Sequence, residues 1–324
     1  MLVYSRREFG SVLVAGLPLM AGMGPVPLSV ADAAIGVATS SFRDLPRVPG
    51  RDNLDEVIRA LRAVGVTQVE LALANLEPAP QSTAPVMGGS AAYPRRIVMT
   101  PEEVAATNSS ARAALRAWRL QTPAALFDRA RGTLASAGLT VRACAVSYND
   151  SFSDEEIDAT LRQVRALGVA TVSSPLTMAM ARRVAPFAQR RQVSVAIHNQ
   201  VDGNPAGAID TRGIREALAL SPAFTVKLDI GNLTASNRDA AAELREYRSR
   251  VSHVLVRDRL RNGGASQPFG EGDTPIGAVL SLLATAAPGI PALIDYDYVG
   301  LRTSVDELKA CLAYCRAGVP ALSR

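Results

Sequence analysis

Residues 193–198 read VSVAIH, and residues 224–230 read FTVKLDI. Both runs are short and rich in apolar and β-branched residues, which is typical of buried strands in a parallel sheet. Each run is followed by a segment that can form a helix. A strand followed by a helix is the repeating unit of parallel α/β folds, so these two stretches predict that class.

The same alternation occurs along the whole chain. Eight candidate strands precede helical segments in about 290 residues, and no Gly-x-Gly-x-x-Gly follows the first of them. The count favours a single-domain (β/α)8 TIM barrel over a doubly wound sheet, and it predicts no nucleotide cofactor. The candidate strands are Ile35 to Ser41, Thr67 to Leu73, Thr140 to Ser147, Ala170 to Ser174, Val193 to His198, Phe224 to Ile230, Ser252 to Val256 and Ala292 to Asp297.

Helix faces and helix starts can also be recognised. Two segments carry apolar residues at helical spacing, which predicts helices packed on a sheet. Capping boxes and a cap followed by proline predict where helices begin. The faces are Val57, Ile58, Leu61 and Val64, and Ile157, Leu161, Val164 and Leu167; the starts are Ser153 with Glu156, Ser304 with Glu307, Thr100-Pro101 and Thr274-Pro275.

One segment interrupts this rhythm. Asn75 to Tyr93 is rich in Pro, Gly, Ser and Ala and follows the second candidate strand. We interpret it as part of an inserted loop near residues 75–100. Loops after the strands of a barrel lie on the face where chemistry occurs, so this loop covers the site or is a disordered excursion.

The N-terminal residues have the order of an export signal. Arg6 and Arg7 precede an apolar stretch, and a small-residue site ends at Ala33. This order is typical of twin-arginine signals, which direct folded proteins to the twin-arginine translocase. It predicts a signal peptide over residues 1–33 and a periplasmic or secreted mature chain over residues 34–324. An uncleaved anchor or a chance arginine pair is the alternative.

Composition excludes several classes of function. The net charge of +5 comes almost wholly from scattered arginines, because only Lys227 and Lys309 are lysines, so no nucleic-acid track is expected. No uninterrupted run of 18 apolar residues occurs, which predicts no membrane span in the mature chain. The three cysteines have no zinc-ribbon spacing and are expected to be buried thiols. Only two histidines are present, which excludes imidazole-rich metal sites.

Polar residues stand at the C-terminal ends of the candidate strands. Catalytic groups of TIM barrels lie at these ends, so carboxylates and one imidazole are expected to converge there. Such carboxylates need a counter-charge, and either a divalent cation or the pair Arg257 and Arg259 would supply it. The residues are Glu70, His198, Asn199, Asp229, Asn232, Arg257, Asp295 and Asp297, with Glu271 in the loop after the seventh strand.

At these positions the chain resembles the sugar phosphate isomerase/epimerase superfamily, the xylose-isomerase-like barrels, over essentially its whole mature length. The order of several stretches carries this resemblance, since none is specific alone. They are Thr39-Ser40-Ser41-Phe42-Arg43, Val69-Glu70-Leu71, Trp118-Arg119-Leu120, Ala196-Ile197-His198-Asn199, Leu228-Asp229-Ile230-Gly231-Asn232, Arg257-Asp258-Arg259, Pro268-Phe269-Gly270-Glu271-Gly272-Asp273-Thr274-Pro275 and Asp295-Tyr296-Asp297-Tyr298. The resemblance implies a sugar in the barrel mouth as the small-molecule partner.

The resemblance also implies a metal site, which this sequence matches only in part. His198, Asp229 and Asp295 stand where metal-dependent members hold a cation, and Mn, Mg, Co or Zn would be the ion. Three positions that are commonly histidine in relatives differ. They are Gln200, Asn232 and Leu255.

Together these residues lead to a functional hypothesis. An isomerase or epimerase would move a proton next to the carbonyl of a sugar, with Glu70 and Asp295 as the catalytic carboxylates. Two other hypotheses stay open: a metal-free carbohydrate-binding barrel without catalysis, and a lyase or hydrolase of oxidised glycosides. An endonuclease IV type of phosphodiesterase is not favoured, because its site needs more histidines. The residues expected to bind substrate are Asn199, Asn232, Arg257, Glu271 and Asp297.

Overall fold

The computed structural model describes residues 35–80 and 101–318. Eight parallel strands close into a barrel, and each pairs with its neighbours in chain order until the last strand pairs with the first. These eight are β1 (Ile35–Ala38), β2 (Gln68–Ala72), β3 (Thr140–Ala145), β4 (Thr171–Ser174), β5 (Ser194–His198), β6 (Phe224–Asp229), β7 (Val251–Val256) and β10 (Ala292–Ile294). The prediction of a single-domain (β/α)8 barrel is confirmed.

Helices surround the barrel, and the main hydrophobic core fills the layer between them and the strands. In α1, for example, Val57 and Leu61 are fully buried, as its apolar face predicts. The helices are α1 (Leu54–Val64), α2 (Pro101–Gln121), α3 (Ala124–Ser136), α4 (Asp154–Ala166), α5 (Met178–Arg191), α6 (Ile214–Ala219), α7 (Ile230–Ala235), α8 (Ala240–Tyr247), α9 (Ile276–Ala286) and α10 (Ser304–Ala317).

The strands differ from the predicted runs at their C-terminal ends. Residues Thr39–Ser41 form a short 3-10 helix, and β10 ends at Ile294, three residues before Asp297. Side-chain hydrogen bonds replace the backbone ladder at this point, because the Ser41 hydroxyl accepts from the backbone N–H of Tyr296 at 2.9 Å. At the ends of β1 and β10, a polar side chain thus takes the place of a backbone partner.

Two of the predicted helix starts are correct and two are shifted. Ser153 and Glu156 form the expected capping box of α4. Helix α10 is capped one residue earlier than predicted, by Thr303, because the Glu307 carboxylate accepts instead from Tyr298 and Arg302. Helix α2 begins at Pro101 as predicted, and Thr100 lies outside the described residues. The Thr274 hydroxyl accepts from the Arg259 backbone N–H, and α9 begins at Ile276.

A small antiparallel hairpin that the sequence did not reveal follows β7. It consists of β8 (Asp258–Arg259) and β9 (Ser266–Gln267). The buried Asp258 carboxylate holds the loop after this hairpin by accepting backbone N–H groups of Gly270, Gly272 and Thr274 at 2.8–3.1 Å. Asp258 is thus a structural residue of this loop.

Several predictions concern residues beyond the described ranges. The signal peptide over residues 1–33 lies outside them, as does the part of the proposed insertion over residues 81–100. Within the described residues, no helix is long and apolar enough to cross a membrane. The three cysteines are buried and unpaired, as predicted.

Because β1 and β2 lie close together, we expect a methyl group added at Gly36 to lower the stability of the protein. A Cβ at Gly36 would overlap the backbone carbonyl of Gln68, whereas a Cβ at Gly132, on the exposed side of α3, would meet no atom within 4 Å. We expect Gly36→Ala to lower the free energy of unfolding by about 2–3 kcal/mol. Gly132→Ala is the matched control and should raise it by about 1 kcal/mol, because alanine is the better helix former. Chemical denaturation measures both; equal effects would contradict the strand packing described here.

Candidate active site

Polar side chains occupy the inside of the barrel in two layers. Cα register pairs His198 with Lys227 and Lys227 with His253, so these three residues of neighbouring strands share one face of the sheet. The deep layer comprises Glu70, Ser173, Lys227 and His253. The mouth layer, at the C-terminal ends of the strands, comprises His198, Asp229, Arg257, Asp295 and Asp297.

The deep layer is built around the Glu70 carboxylate. Glu70 is only 1% exposed, and its Oε2 accepts from Lys227 Nζ at 2.6 Å. Its Oε1 accepts from the Ser173 hydroxyl and lies 3.1 Å from His253 Nε2. The second nitrogen of that ring, Nδ1, is 2.8 Å from the Ser252 hydroxyl. The carboxylate is thus bonded through both oxygens.

The partners of Glu70 outweigh the cost of its burial. Burial alone would raise its pKa, but the charge of Lys227 and the hydrogen bond from His253 hold the pKa well below its usual range. Glu70 is therefore an ionised carboxylate enclosed by the protein. Its ion-pair partner is Lys227. The structure places the predicted catalytic carboxylate one layer below the open end of the barrel.

In the mouth layer, His198 and Asp229 form a hydrogen-bonded pair. His198 Nε2 lies 3.0 Å from Asp229 Oδ2, and the histidine side chain is 12% exposed. The other oxygen of Asp229 accepts the backbone N–H of Asn232 at 2.9 Å, which caps α7. Burial and the nearby Lys227 lower the pKa of His198. Burial would raise the pKa of Asp229, but Arg257 and His198 lower it to about 2.

Arg257 stands at the centre of the mouth layer. Its Nη1 lies 3.2 Å from Asp229 Oδ2 and 3.3 Å from Asp297 Oδ2, while Nε donates to Asp295 Oδ2 at 3.1 Å. Nη2 makes a second, shorter contact with the same Asp295 oxygen. Burial would lower the pKa of Arg257, but the three aspartates raise it above its usual value. One guanidinium therefore supplies the counter-charge for three carboxylates.

The two aspartates after β10 have different surroundings. Asp295 Oδ1 accepts from the hydroxyls of Ser40 and Ser41 at 3.0 and 3.1 Å, and although burial would raise its pKa, Arg257 lowers it. Asp297 is 27% exposed in its side chain, and burial raises its pKa despite the opposing charge of Arg257. Asp295 is thus bonded through both oxygens, whereas Asp297 is the carboxylate that faces the solvent.

The arrangement does not fit the implied metal site. A cation bound by Asp229 and Asp295 needs contacts of about 2.0–2.2 Å to their oxygens, but the Oδ2 atoms that face the centre are bonded to the Arg257 guanidinium. Among the residues in the two described ranges, no group of three or more His, Cys, Asp or Glu side chains could hold a metal ion. Of the counter-charges considered from sequence, Arg257 is the one the geometry supports.

Other residues expected to bind substrate have different surroundings. Asn199 is fully buried, and its amide joins β5 to β6 by accepting from the Asp229 backbone N–H at 2.8 Å. Asn232 is also buried and is bonded to the Asn199 carbonyl and to Arg259 at 2.9 and 2.7 Å. Both side-chain amides are therefore hydrogen-bonded within the protein. Glu271 is exposed on the loop after the hairpin.

Sequence reasoning did not assign Lys227, Ser173 or His253 to the site. One signal was present: Lys227 is one of two lysines, and it stands between Val226 and Leu228 in a run of buried-strand character. A charge in such a run requires a buried partner. The sequence did not show that this partner would be Glu70, which lies 157 residues earlier.

Comparison with known proteins supports the fold. No family model matches the chain, and no curated protein matches it in sequence. A sugar phosphate isomerase/epimerase from Parabacteroides distasonis ATCC 8503 is similar at 12% identity and TM-score 0.56, covering 95% of this chain and 100% of its own. An L-ribulose 3-epimerase is similar at 13% identity and TM-score 0.57, and the match covers 89% of this chain and 94% of that one.

A third similar structure is D-psicose 3-epimerase with D-tagatose, from Clostridium cellulolyticum H10. It is 11% identical with a TM-score of 0.56, and the match covers 88% of this chain and 99% of that one. At these identities the similarity shows that the three proteins share the barrel fold of this chain.

The buried pair of Glu70 and Lys227 predicts non-additive effects on stability. Each of Glu70→Gln and Lys227→Met leaves the other charge buried without its partner, which costs about 3–5 kcal/mol. The double variant removes both charges, so it should lose much less than the sum of the two single losses. Urea denaturation of the four proteins measures this coupling. Additive losses would show that the two side chains do not interact.

Proposed function

We propose that this protein is a sugar isomerase or epimerase that moves a proton next to the carbonyl of a sugar or keto-sugar. The observation that carries the proposal is the pairing of His198 and Asp229 beside Arg257 at the open end of the barrel. A base next to a cation is what proton abstraction beside a carbonyl requires. The substrate class is supported by the L-ribulose and D-psicose 3-epimerases that share the fold.

In this proposal His198 is the base. Its lowered pKa keeps the ring neutral at pH 7. Asp229 is ionised and can only accept, so the ring nitrogen Nε2, 3.0 Å away, carries the hydrogen and donates it. The free electron pair of the ring is then on Nδ1, which takes the proton from the substrate carbon. Asp229 orients the ring and stabilises the imidazolium that forms.

Arg257 stabilises the oxygen on which charge develops. When the proton moves to His198, the C–H electron pair forms the carbon–carbon double bond of an enediolate, and the carbonyl oxygen gains a negative charge. The guanidinium donates N–H groups to that oxygen, and its fixed position lowers the barrier without reorganisation. Of its three partners, Asp297 is the most exposed and the one that a substrate oxygen displaces most readily.

Return of the proton distinguishes the two reactions. Delivery to the neighbouring carbon, together with transfer of the hydroxyl proton from one enediolate oxygen to the other, completes an isomerisation. Delivery to the opposite face of the same carbon completes an epimerisation, which needs a second acid. We assign that role to Asp297, which faces the solvent and has a raised pKa. Asp295 positions Arg257 through its two contacts, and Glu70 supports the layer below. His198 and Asp297 thus take the roles first predicted for Glu70 and Asp295.

A carbohydrate-binding barrel without turnover is the second candidate. It is favoured by one observation, namely that Arg257 contacts all three mouth aspartates and is only 16% exposed. Such a protein would bind a sugar through these groups and leave its C–H bonds intact. Proton exchange therefore separates the two candidates.

Exchange of a substrate proton with solvent tests the proposed enzyme. We expect wild-type protein in D2O to incorporate deuterium next to the carbonyl of at least one of a panel of unphosphorylated keto-sugars, as followed by NMR. His198→Gln should slow incorporation by about 10²–10⁴-fold. The acid limb of the wild-type rate should lie below pH 6.5, because the base must be neutral.

His253→Gln is the contrasting variant, since His253 is the only other histidine and lies in the deep layer. It should lower the melting temperature while keeping exchange detectable. Sugar binding without exchange in the wild type would favour the binding protein. Equal exchange by wild type and His198→Gln would remove His198 as the base.

We also propose that the protein is exported. The proposal is supported by Arg6 and Arg7 ahead of the apolar stretch that ends before Ala33. Replacing both arginines by lysine keeps the charge but should retain the full-length precursor in the cytoplasm, as measured by cell fractionation and N-terminal sequencing. Exposed Arg59→Lys is the matched control and should be exported normally. Normal processing of the double variant would contradict the twin-arginine route.

A further inference from the structure

We propose that the Arg257 guanidinium is the resident cation of the barrel mouth, in the position that a divalent metal ion would take among Asp229, Asp295 and Asp297. The native protein then needs no metal at this site. The inference concerns which cation the mouth holds. It goes beyond the proposed sugar chemistry and stands or falls independently of it.

The anchoring of the carboxylates is the first argument. Asp229 and Asp295 each have one oxygen held by the protein: Oδ1 of Asp229 by the Asn232 backbone, and Oδ1 of Asp295 by Ser40 and Ser41. In both residues the second oxygen, Oδ2, contacts Arg257. The free oxygens of two buried carboxylates therefore point to the same position, as the ligands of a cation site do.

The third carboxylate completes the arrangement. Asp297 Oδ2 lies 3.3 Å from the same nitrogen, Nη1, that is 3.2 Å from Asp229 Oδ2. Three aspartates from β6 and the loop after β10 thus meet one guanidinium from the end of β7. All five of its N–H groups point in one plane, and the contacts to Asp295 use Nε and Nη2.

Electrostatics requires a positive charge at this point. Removing it would leave three carboxylates within a few ångströms of one another in a largely buried region, where like charges repel strongly. The cation can be a side chain or an ion, but the two exclude each other, because an ion within bonding distance of these oxygens would overlap the guanidinium and be repelled by it. Arginine does not lose its proton, so this exclusion persists at every physiological pH.

Leu255 and Asn232, which stand where relatives commonly have histidine, do not offer a metal ligand at the mouth. Leu255, in β7 and two residues before Arg257, is fully buried in an apolar cluster with Ala38 and Leu293. Leucine offers no ligand there. Asn232 uses its side chain for Asn199 and Arg259. Two positions that are commonly histidine in relatives thus serve packing or structural hydrogen bonds in this barrel.

Removal of the guanidinium should therefore create a cation site. In Arg257→Ala the three aspartates lose their counter-charge and the imidazole of His198 stays beside them. Oxygen ligands with one imidazole suit Mn²⁺. We expect Arg257→Ala to bind one Mn²⁺ with an affinity about tenfold or more above that of the wild type.

The experiment is a titration of each protein with MnCl2, with free Mn²⁺ read by electron paramagnetic resonance and stability read by thermal unfolding. Arg259→Ala is the matched control, since Arg259 is two residues away and its guanidinium donates to the Asn232 amide oxygen and the Gly264 carbonyl. Wild type and Arg259→Ala should show no site at the mouth. Adding Asp229→Asn to Arg257→Ala should remove the new one.

Several results would overturn the inference. Stoichiometric Mn²⁺ in the wild type that is lost in Asp229→Asn would mean that an ion, not Arg257, neutralises the mouth. A fall in wild-type melting temperature on treatment with EDTA, restored by Mn²⁺, would mean the same. A folded Arg257→Ala that binds no Mn²⁺ would show that the aspartates do not form a cation site. If that variant does not fold, Arg257→Gln removes the charge and gives the same test.

Discussion

Charge neutralisation inside the barrel is the constraint on which the rest of the site depends. Four carboxylates, Glu70, Asp229, Asp295 and Asp297, lie at or below one end of the strands, and three of them are almost wholly buried. The pKa values of the three buried carboxylates, Glu70, Asp229 and Asp295, are lowered despite their burial because Lys227 and Arg257 lie among them. The hydrogen bonds of both layers follow from the need to satisfy every oxygen that these charges bring into the protein.

The deep layer and the mouth layer differ in their exposure and in their roles. The deep layer closes the bottom of the site with the buried ion pair of Glu70 and Lys227, in which the carboxylate is bonded through both oxygens. Its lysine also lowers the pKa of His198 in the layer above. The mouth layer keeps partial exposure at His198, Arg257 and Asp297, and these are the groups that can meet a ligand.

The sequence predicted the architecture better than the contacts. Eight apolar runs with helical segments between them were enough for the barrel, because burial on both faces leaves a strong local pattern. Local patterns do not specify partners: Glu70 and Lys227 are 157 residues apart, and the choice between a metal ion and Arg257 depended on where a side chain on the next strand points. For the same reason, the sequence did not show that the amides of Asn199 and Asn232, which were expected to bind substrate, are hydrogen-bonded within the protein.

A guanidinium and a metal ion in the same position favour different chemistry. A metal ion accepts electron pairs from substrate oxygens at about 2 Å and acts as a Lewis acid. Arginine accepts none; it donates N–H groups in a plane, at hydrogen-bond distance, and is best matched by planar oxygen groups. An enediolate has such a planar arrangement, whereas the hydroxyls of a closed sugar ring do not. In the proposed reaction Arg257 would therefore act at the step where charge forms on the oxygen, because its guanidinium contacts that state better than the ground state.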